Sequence, residues 1–218
     1  VYLPSVQLGV RWRVLGILCG FIPVVNLAAL VFILCTCIKE VRFETEKILL
    51  DEARHEQKIC ATKYPFLFVH GVFFRDSHFF NYWGRIPKEL EKNGAVIYYG
   101  NHQSALSAED SGIELTKRIK NIVEETGCGK VNVIAHSKGG MDVRAAISNG
   151  GAEYIASLTT INAPHRGCVF AEHLLNKMPK KLVGTVAKIY NAVAYRLGDD
   201  NPDFLEAVRD LTAARCRA

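Results

Sequence analysis

The chain has 218 residues, 49% of them hydrophobic and 22% charged, with Lys+Arg 27 against Asp+Glu 22 for a net charge of +5. Apolar content at this level fills a core, which excludes collagen-like, low-complexity and wholly disordered classes. The small positive excess is interleaved with acids, so no nucleic-acid partner is expected.

Residues 1–13 form an N-terminal flank carrying Arg11 and Arg13. Val14 to Ile38 then runs for 25 residues without a charge. As one helix it would be about 37 Å long, enough to cross a hydrocarbon core of about 30 Å. The run is too long for the apolar part of a secretory signal, about 7–15 residues. The expectation is therefore a transmembrane helix over 14–38, acting as an uncleaved anchor, with Pro23 and Asn26 tolerated inside it. Lys39, Arg42 and Lys47 follow the run as Arg11 and Arg13 precede it, so the flanking charges assign no orientation. Residues 39–60 read as a charged stalk helix: eleven charges of both signs fall between Lys39 and Lys58, and Glu44 precedes Lys47 by three.

From residue 61 the pattern changes to that of a globular domain. Phe66–Val69 is a short apolar run closed by His70-Gly71, as expected of a buried strand. Ile86–Lys92 reads as a helix with Pro87 in its first turn, and Ala95–Tyr99 as a second strand. Leu115, Ile119, Ile122 and Val123 recur at helical spacing up to Gly127. Val131–Ala135 is a third strand, Ser137–Ser148 a helix, and Ile155–Ile161 a fourth strand. Alternation of this kind implies an α/β domain with a mostly parallel sheet covered on both faces. Leu182–Leu197 carries Val186, Ile189, Tyr190, Val193 and Leu197 at amphipathic spacing, fitting either a lid or an ordinary covering helix. Asn201-Pro202 is expected to cap a last helix with Phe204, Leu205, Val208 and Leu211 on one face. The seven cysteines are odd in number, and no Cys/His group has ligand spacing, so no disulfide framework and no metal are expected.

The chemistry lies in Ala135-His136-Ser137-Lys138-Gly139-Gly140, which directly follows a strand and opens a helix. A serine on such a sharp turn projects its hydroxyl beyond the strand end, and small residues are needed two positions either side; Ala135 and Gly139 supply them. Ser137 is the expected nucleophile, able to attack a carbonyl carbon once a base takes its proton. The loop after an earlier strand and the residue after the nucleophile donate to the developing oxyanion in such turns. That assigns the backbone N–H groups of Val72 and Lys138. The Lys138 side chain is expected to sit as a cation beside that anion.

Several stretches in order resemble the bacterial triacylglycerol lipases of the Pseudomonas and Burkholderia type. Tyr64–Val72 looks like that family's oxyanion strand, and Tyr82–Ile86 and Gly94–Tyr98 like its next elements. Lys130–Ser137 is similar to its nucleophile strand, and Leu158–Gly167 to the strand and loop that follow. The resemblance is close from Tyr64 to Cys168 and weaker to Thr212. It implies an α/β-hydrolase fold over residues 61–218, hydrolysis of long-chain acyl esters through an acyl-enzyme, a lipid or acyl-ester substrate, and no organic cofactor. With the apolar segment it implies a single-pass protein of a bacterial cell membrane. Thioesterase or amidase chemistry on the same fold, or a non-catalytic, membrane-tethered hydrolase-like binding protein, are the alternatives.

The fold's order is serine, then acid, then histidine. Only His165 and His173 follow Ser137, too early for a base beyond the last strand, and Asp199, Asp200 and Asp203 come after both. No catalytic acid or histidine is assigned, and the domain reads as incomplete at its C-terminus. His136, His165 and His70 read as structural, and His78 and His102 as surface residues of loops.

Overall fold

A computed structural model describes residues 3–72 and 82–217. It divides into two compact units, Val1–Ile59 and Cys60–Ala218.

The first unit corrects the expectation of a single helix over 14–38. Two helices form instead, α1 (Gly9–Cys19) and α2 (Val25–His55). The break follows from Pro23, which has no N–H to donate to Cys19 and whose ring would clash with that carbonyl in a continuous helix. Val24 takes φ +69°, a left-handed conformation that a β-branched residue rarely adopts, and the chain reverses there. The helix α2 has 31 residues, but its apolar part ends at Lys39 and the charged stalk is simply its second half. Within that half Lys47 pairs with Glu44 at 3.7 Å. Among the described residues no helix is long and apolar enough to cross a membrane, so the preceding transmembrane helix is not supported.

The second unit is built on four parallel strands, β1 (Phe66–Val69), β2 (Ile97–Tyr99), β3 (Val131–His136) and β4 (Ile155–Ile161), in the order β2-β1-β3-β4. Helices α3 (Ile86–Lys92), α4 (Ala108–Thr126) and α5 (Gly139–Ala146) follow β1, β2 and β3 respectively. Ser107 caps α4 by accepting from the Asp110 N–H at 3.1 Å, and Gly127 ends it at φ +65°. Beyond Ala146 the α5 chain widens through residues 147–151, where Asn149 and Gly150 leave helical geometry.

Alternation along β3 sends Val131, Val133 and Ala135 into a core shared with Leu67, Val69, Leu115, Ile119 and Val143. The opposite face of β1 carries Phe68, whose ring meets Trp83 edge-on at 4.7 Å. A second cluster gathers Val72 with residues of α6 (Val169–Asn176), α7 (Lys180–Arg196) and α8 (Phe204–Arg209). A short α9 (Ala213–Arg217) completes the described chain. The cap of α8 is Asp203, which accepts from the Glu206 N–H, rather than the expected Asn201-Pro202 pair.

On α7 the buried residues are Val183, Ala187 and Ala194. The stripe read from the sequence divides: Tyr190 packs on Phe204 at 4.5 Å, whereas Val186, Ile189, Val193 and Leu197 face solvent. Two apolar faces thus share one helix, and counting apolar positions cannot tell which of them is covered.

Candidate active site

Ser137 stands between the end of β3 and the start of α5 at φ +55°. That left-handed backbone costs a non-glycine residue energy, and the surroundings must hold it. Part of the hold is the Ser137 N–H, which donates to the Ile161 carbonyl of β4 at 3.0 Å. The rest is close packing. A Cβ added at Gly139 would lie 2.3 Å from the His70 carbonyl oxygen, so only glycine lets α5 start this near β1. A Cβ at Gly71 would lie 2.9 Å from the Ser137 Cβ, which brings the loop after β1 against the serine.

The two expected oxyanion donors adjoin this contact in sequence, Val72 after Gly71 and Lys138 after Ser137. Val72 and Lys138 are both buried. Among the described residues their backbone N–H groups donate to no protein acceptor. Among the same residues Ser137 Oγ makes no hydrogen bond to a histidine, so no base is assigned.

The Lys138 side chain corrects the expectation of a cation beside the oxyanion. It turns inward, fully buried, and its Nζ donates to Asp142 Oδ1 at 2.6 Å and to Ser111 Oγ at 3.3 Å. His102 also departs from its expected surface position: it is 3% exposed, stacks on His70 at 4.2 Å and faces Asp142 with Nε2 at 3.3 Å. Burial pushes the Asp142 carboxyl up to about 6 against the pull of Lys138, leaving it charged at neutral pH. His70 is driven the other way. Burial, then the neighbouring His102, hold it down at about 3. Its ring nitrogens face the carbonyls of Gly71 at 2.9 Å and His102 at 3.2 Å, and the neutral imidazole, with a single N–H, donates to one of the two.

His136 turns to Tyr82, whose hydroxyl bonds its Nδ1 and accepts the Gly71 N–H at 3.0 Å. His165 Nε2 lies 3.0 Å from Thr160 Oγ1. The three late aspartates have local surroundings: Asp199 accepts from Ser104 and Ala105 of one loop, Asp203 caps α8 and Asp200 is exposed. His78 lies outside the described residues. Sequence reasoning missed Asp142, Tyr82 and His102. Only Asp142 left a signal, since it follows Lys138 by four on a helix. Among the described residues no group of three His, Cys, Asp or Glu side chains is arranged to hold a metal ion.

A parallel sheet with a strained serine at a strand-to-helix turn defines the α/β lipase and esterase class. Solved structures agree on the fold. The mature form of a Bacillus licheniformis lipase superposes with a TM-score of 0.54 at 24% identity, covering 71% of this chain and 56% of that one. A metagenomic carboxyl esterase does so at 0.50 and 14% identity, over 71% of this chain and 44% of its own. No family model matches the chain. Its sequence relatives include bacterial triacylglycerol lipases, as the resemblance implied. One from Pseudarthrobacter phenanthrenivorans is 34% identical over 170 residues, 72% of this chain and 52% of the relative. Another from Burkholderia plantarii is 34% identical over 170 residues, 72% of this chain and 47% of its own length. The chain thus spans about half the length of the curated relatives it matches.

Proposed function

We propose that this chain carries the nucleophile and oxyanion-binding part of a serine hydrolase that cleaves acyl esters of lipids. Ser137 Oγ attacks the ester carbonyl carbon while a base takes its proton. The carbonyl oxygen becomes an anion bound by the N–H groups of Val72 and Lys138. Collapse expels the alcohol and leaves an acyl-enzyme, which water hydrolyses. The observation that carries the reading is the left-handed backbone of Ser137 at the strand-to-helix turn, with the loop after β1 packed against it at Gly71. Relatives named as triacylglycerol lipases support lipid esters over thioesters or amides.

In the full natural protein, Ser137→Ala is expected to lower p-nitrophenyl ester turnover by several orders of magnitude, on the order of 10⁶-fold when a triad serine is removed. Retention of most of the activity overturns the assignment. A non-catalytic binding protein on the same fold rests on the open Ser137 Oγ. A fluorophosphonate that labels the natural protein, but not its Ser137→Ala variant, rejects that alternative. Association with a bacterial cell membrane through the apolar N-terminal unit completes the proposal, since a lipase working on membrane or dispersed lipid must meet that surface.

A further inference from the structure

The first unit has almost no interior of its own. α1 buries no residue and α2 buries Cys37 alone. Val14, Ile17, Leu18, Leu27, Leu30 and Leu34 are all exposed, and Phe21 at the turn is 85% exposed. The two helices nevertheless have a defined pairing. Trp12 packs on Phe32 at 4.6 Å, the Val6 N–H donates to Glu40 at 2.8 Å, the Ser5 hydroxyl bonds the same carboxylate, and Arg13 reaches back to the Ser5 carbonyl. These contacts join residues 5–13 to residues 32–40, so the helices are antiparallel and the tip is Gly20–Val24.

Charge is confined to the other end. Between Val14 and Ile38 there is none, while Arg11 and Arg13 precede the uncharged stretch, Lys39 and Arg42 follow it, and Arg13 acts on Glu40 at the open end. Part of the backbone of the turn is paired within the chain. Gly20 donates to Gly16, Ile22 to Cys19 and Asn26 to Ile22, and Pro23 has no N–H to satisfy. A protein partner would cover one face. Apolar side chains around the circumference, with cations at one end, fit a lipid leaflet with anionic headgroups.

We propose that residues 9–38 form a re-entrant hairpin, inserting tip first into one leaflet of an anionic bilayer and returning to the face it entered. The dimensions agree. α1 is about 16 Å long and the uncharged part of α2 about 21 Å, against about 15 Å for half a hydrocarbon core. Arg13, bonded toward the open end, keeps its charge at the headgroups while its stem lies deeper. The proposal rests on the membrane association proposed above and changes its topology: the ends of the segment lie on the same side, where a single span would separate them.

The test is protease protection in sealed membranes bearing the full chain, with one epitope before Val1 and another after Ala218. Both epitopes are expected to be cut from the same face and protected from the other. Cutting from opposite faces establishes a single span and overturns the hairpin alone. Release of the chain by carbonate overturns both the hairpin and the membrane association, and leaves the Ser137 chemistry untouched. In vesicles of phosphatidylcholine with a minority of phosphatidylglycerol, Phe21→Asp is expected to reduce binding on the order of tenfold or more, since it places a charge at the deepest point. Leu49→Asp, on the charged half of α2, is expected to leave binding unchanged. Equal binding by the Phe21→Asp variant and the parent also overturns the hairpin.

Discussion

Lys138 joins the proposed oxyanion N–H to an ammonium that is shut in the core on Asp142. A buried cation stripped of its partner costs about 3–5 kcal/mol. Asp142→Ala should therefore lose that much stability in a denaturant titration, and Lys138→Met with Asp142→Leu should recover most of it. His70 supplies a pH prediction. Its folded value near 3 lies below the usual 6.5, so between those limits the unfolded chain holds a proton that the folded chain refuses. Stability from this group is complete above pH 6.5 and is lost as the pH falls toward 3, at about 1.4 kcal/mol per pH unit. Asp142 acts in the opposite direction between about 6 and its usual 3.8, where the folded chain holds the extra proton. The parent's own pH curve is therefore flattened there. The difference between parent and His70→Gln should isolate the histidine slope, with the parent losing ground as acid is added.

At the level of elements, the strand–turn–helix at Ser137 was legible because its constraints are local. A strand run, a serine and small residues at fixed offsets leave few other conformations. The structure adds the magnitude of that constraint at Gly139. With the His70 oxygen 2.3 Å from an added Cβ, and the Val69 oxygen at 2.9 Å, Gly139→Ala must move backbone rather than a flexible side chain. It should cost about 1–3 kcal/mol and displace Ser137 from Val72, so activity should fall further than the melting temperature suggests. The strand β1 was likewise readable from a continuous apolar run, and β3 and β4 from apolar-rich runs interrupted by Asn132 and by Ser157, Thr159 and Thr160. The hairpin was not, because hydropathy counts charges and is blind to one missing N–H at Pro23. His102 was misplaced for a related reason. It lies in a loop by sequence, and only the folded chain stacks it on His70 above Asp142.

Taken whole, the molecule separates its tasks. Residues 60–218 contain the parallel sheet and every group placed at Ser137, whereas residues 1–59 present an apolar surface with hardly any core. One contact in the larger unit gives the exposed side of α7 a bearing on chemistry. The Tyr190 hydroxyl donates to the carbonyl of Val72, and burial lifts that phenol to about 12, so it remains a donor at any working pH. The peptide leaving Val72 is thereby tethered to a helix whose other side shows Val186, Ile189 and Val193 to solvent. The expectation is that a torque on α7, such as an oily interface would exert on those three residues, reaches the plane of that peptide through this bond. Tyr190→Phe cuts the tether without emptying the space the ring fills. In the full natural protein its expected signature is a lower kcat on soluble esters and a weakened rate difference between dispersed and aggregated substrate. An unchanged rate difference would mean that α7 moves without consequence for Val72.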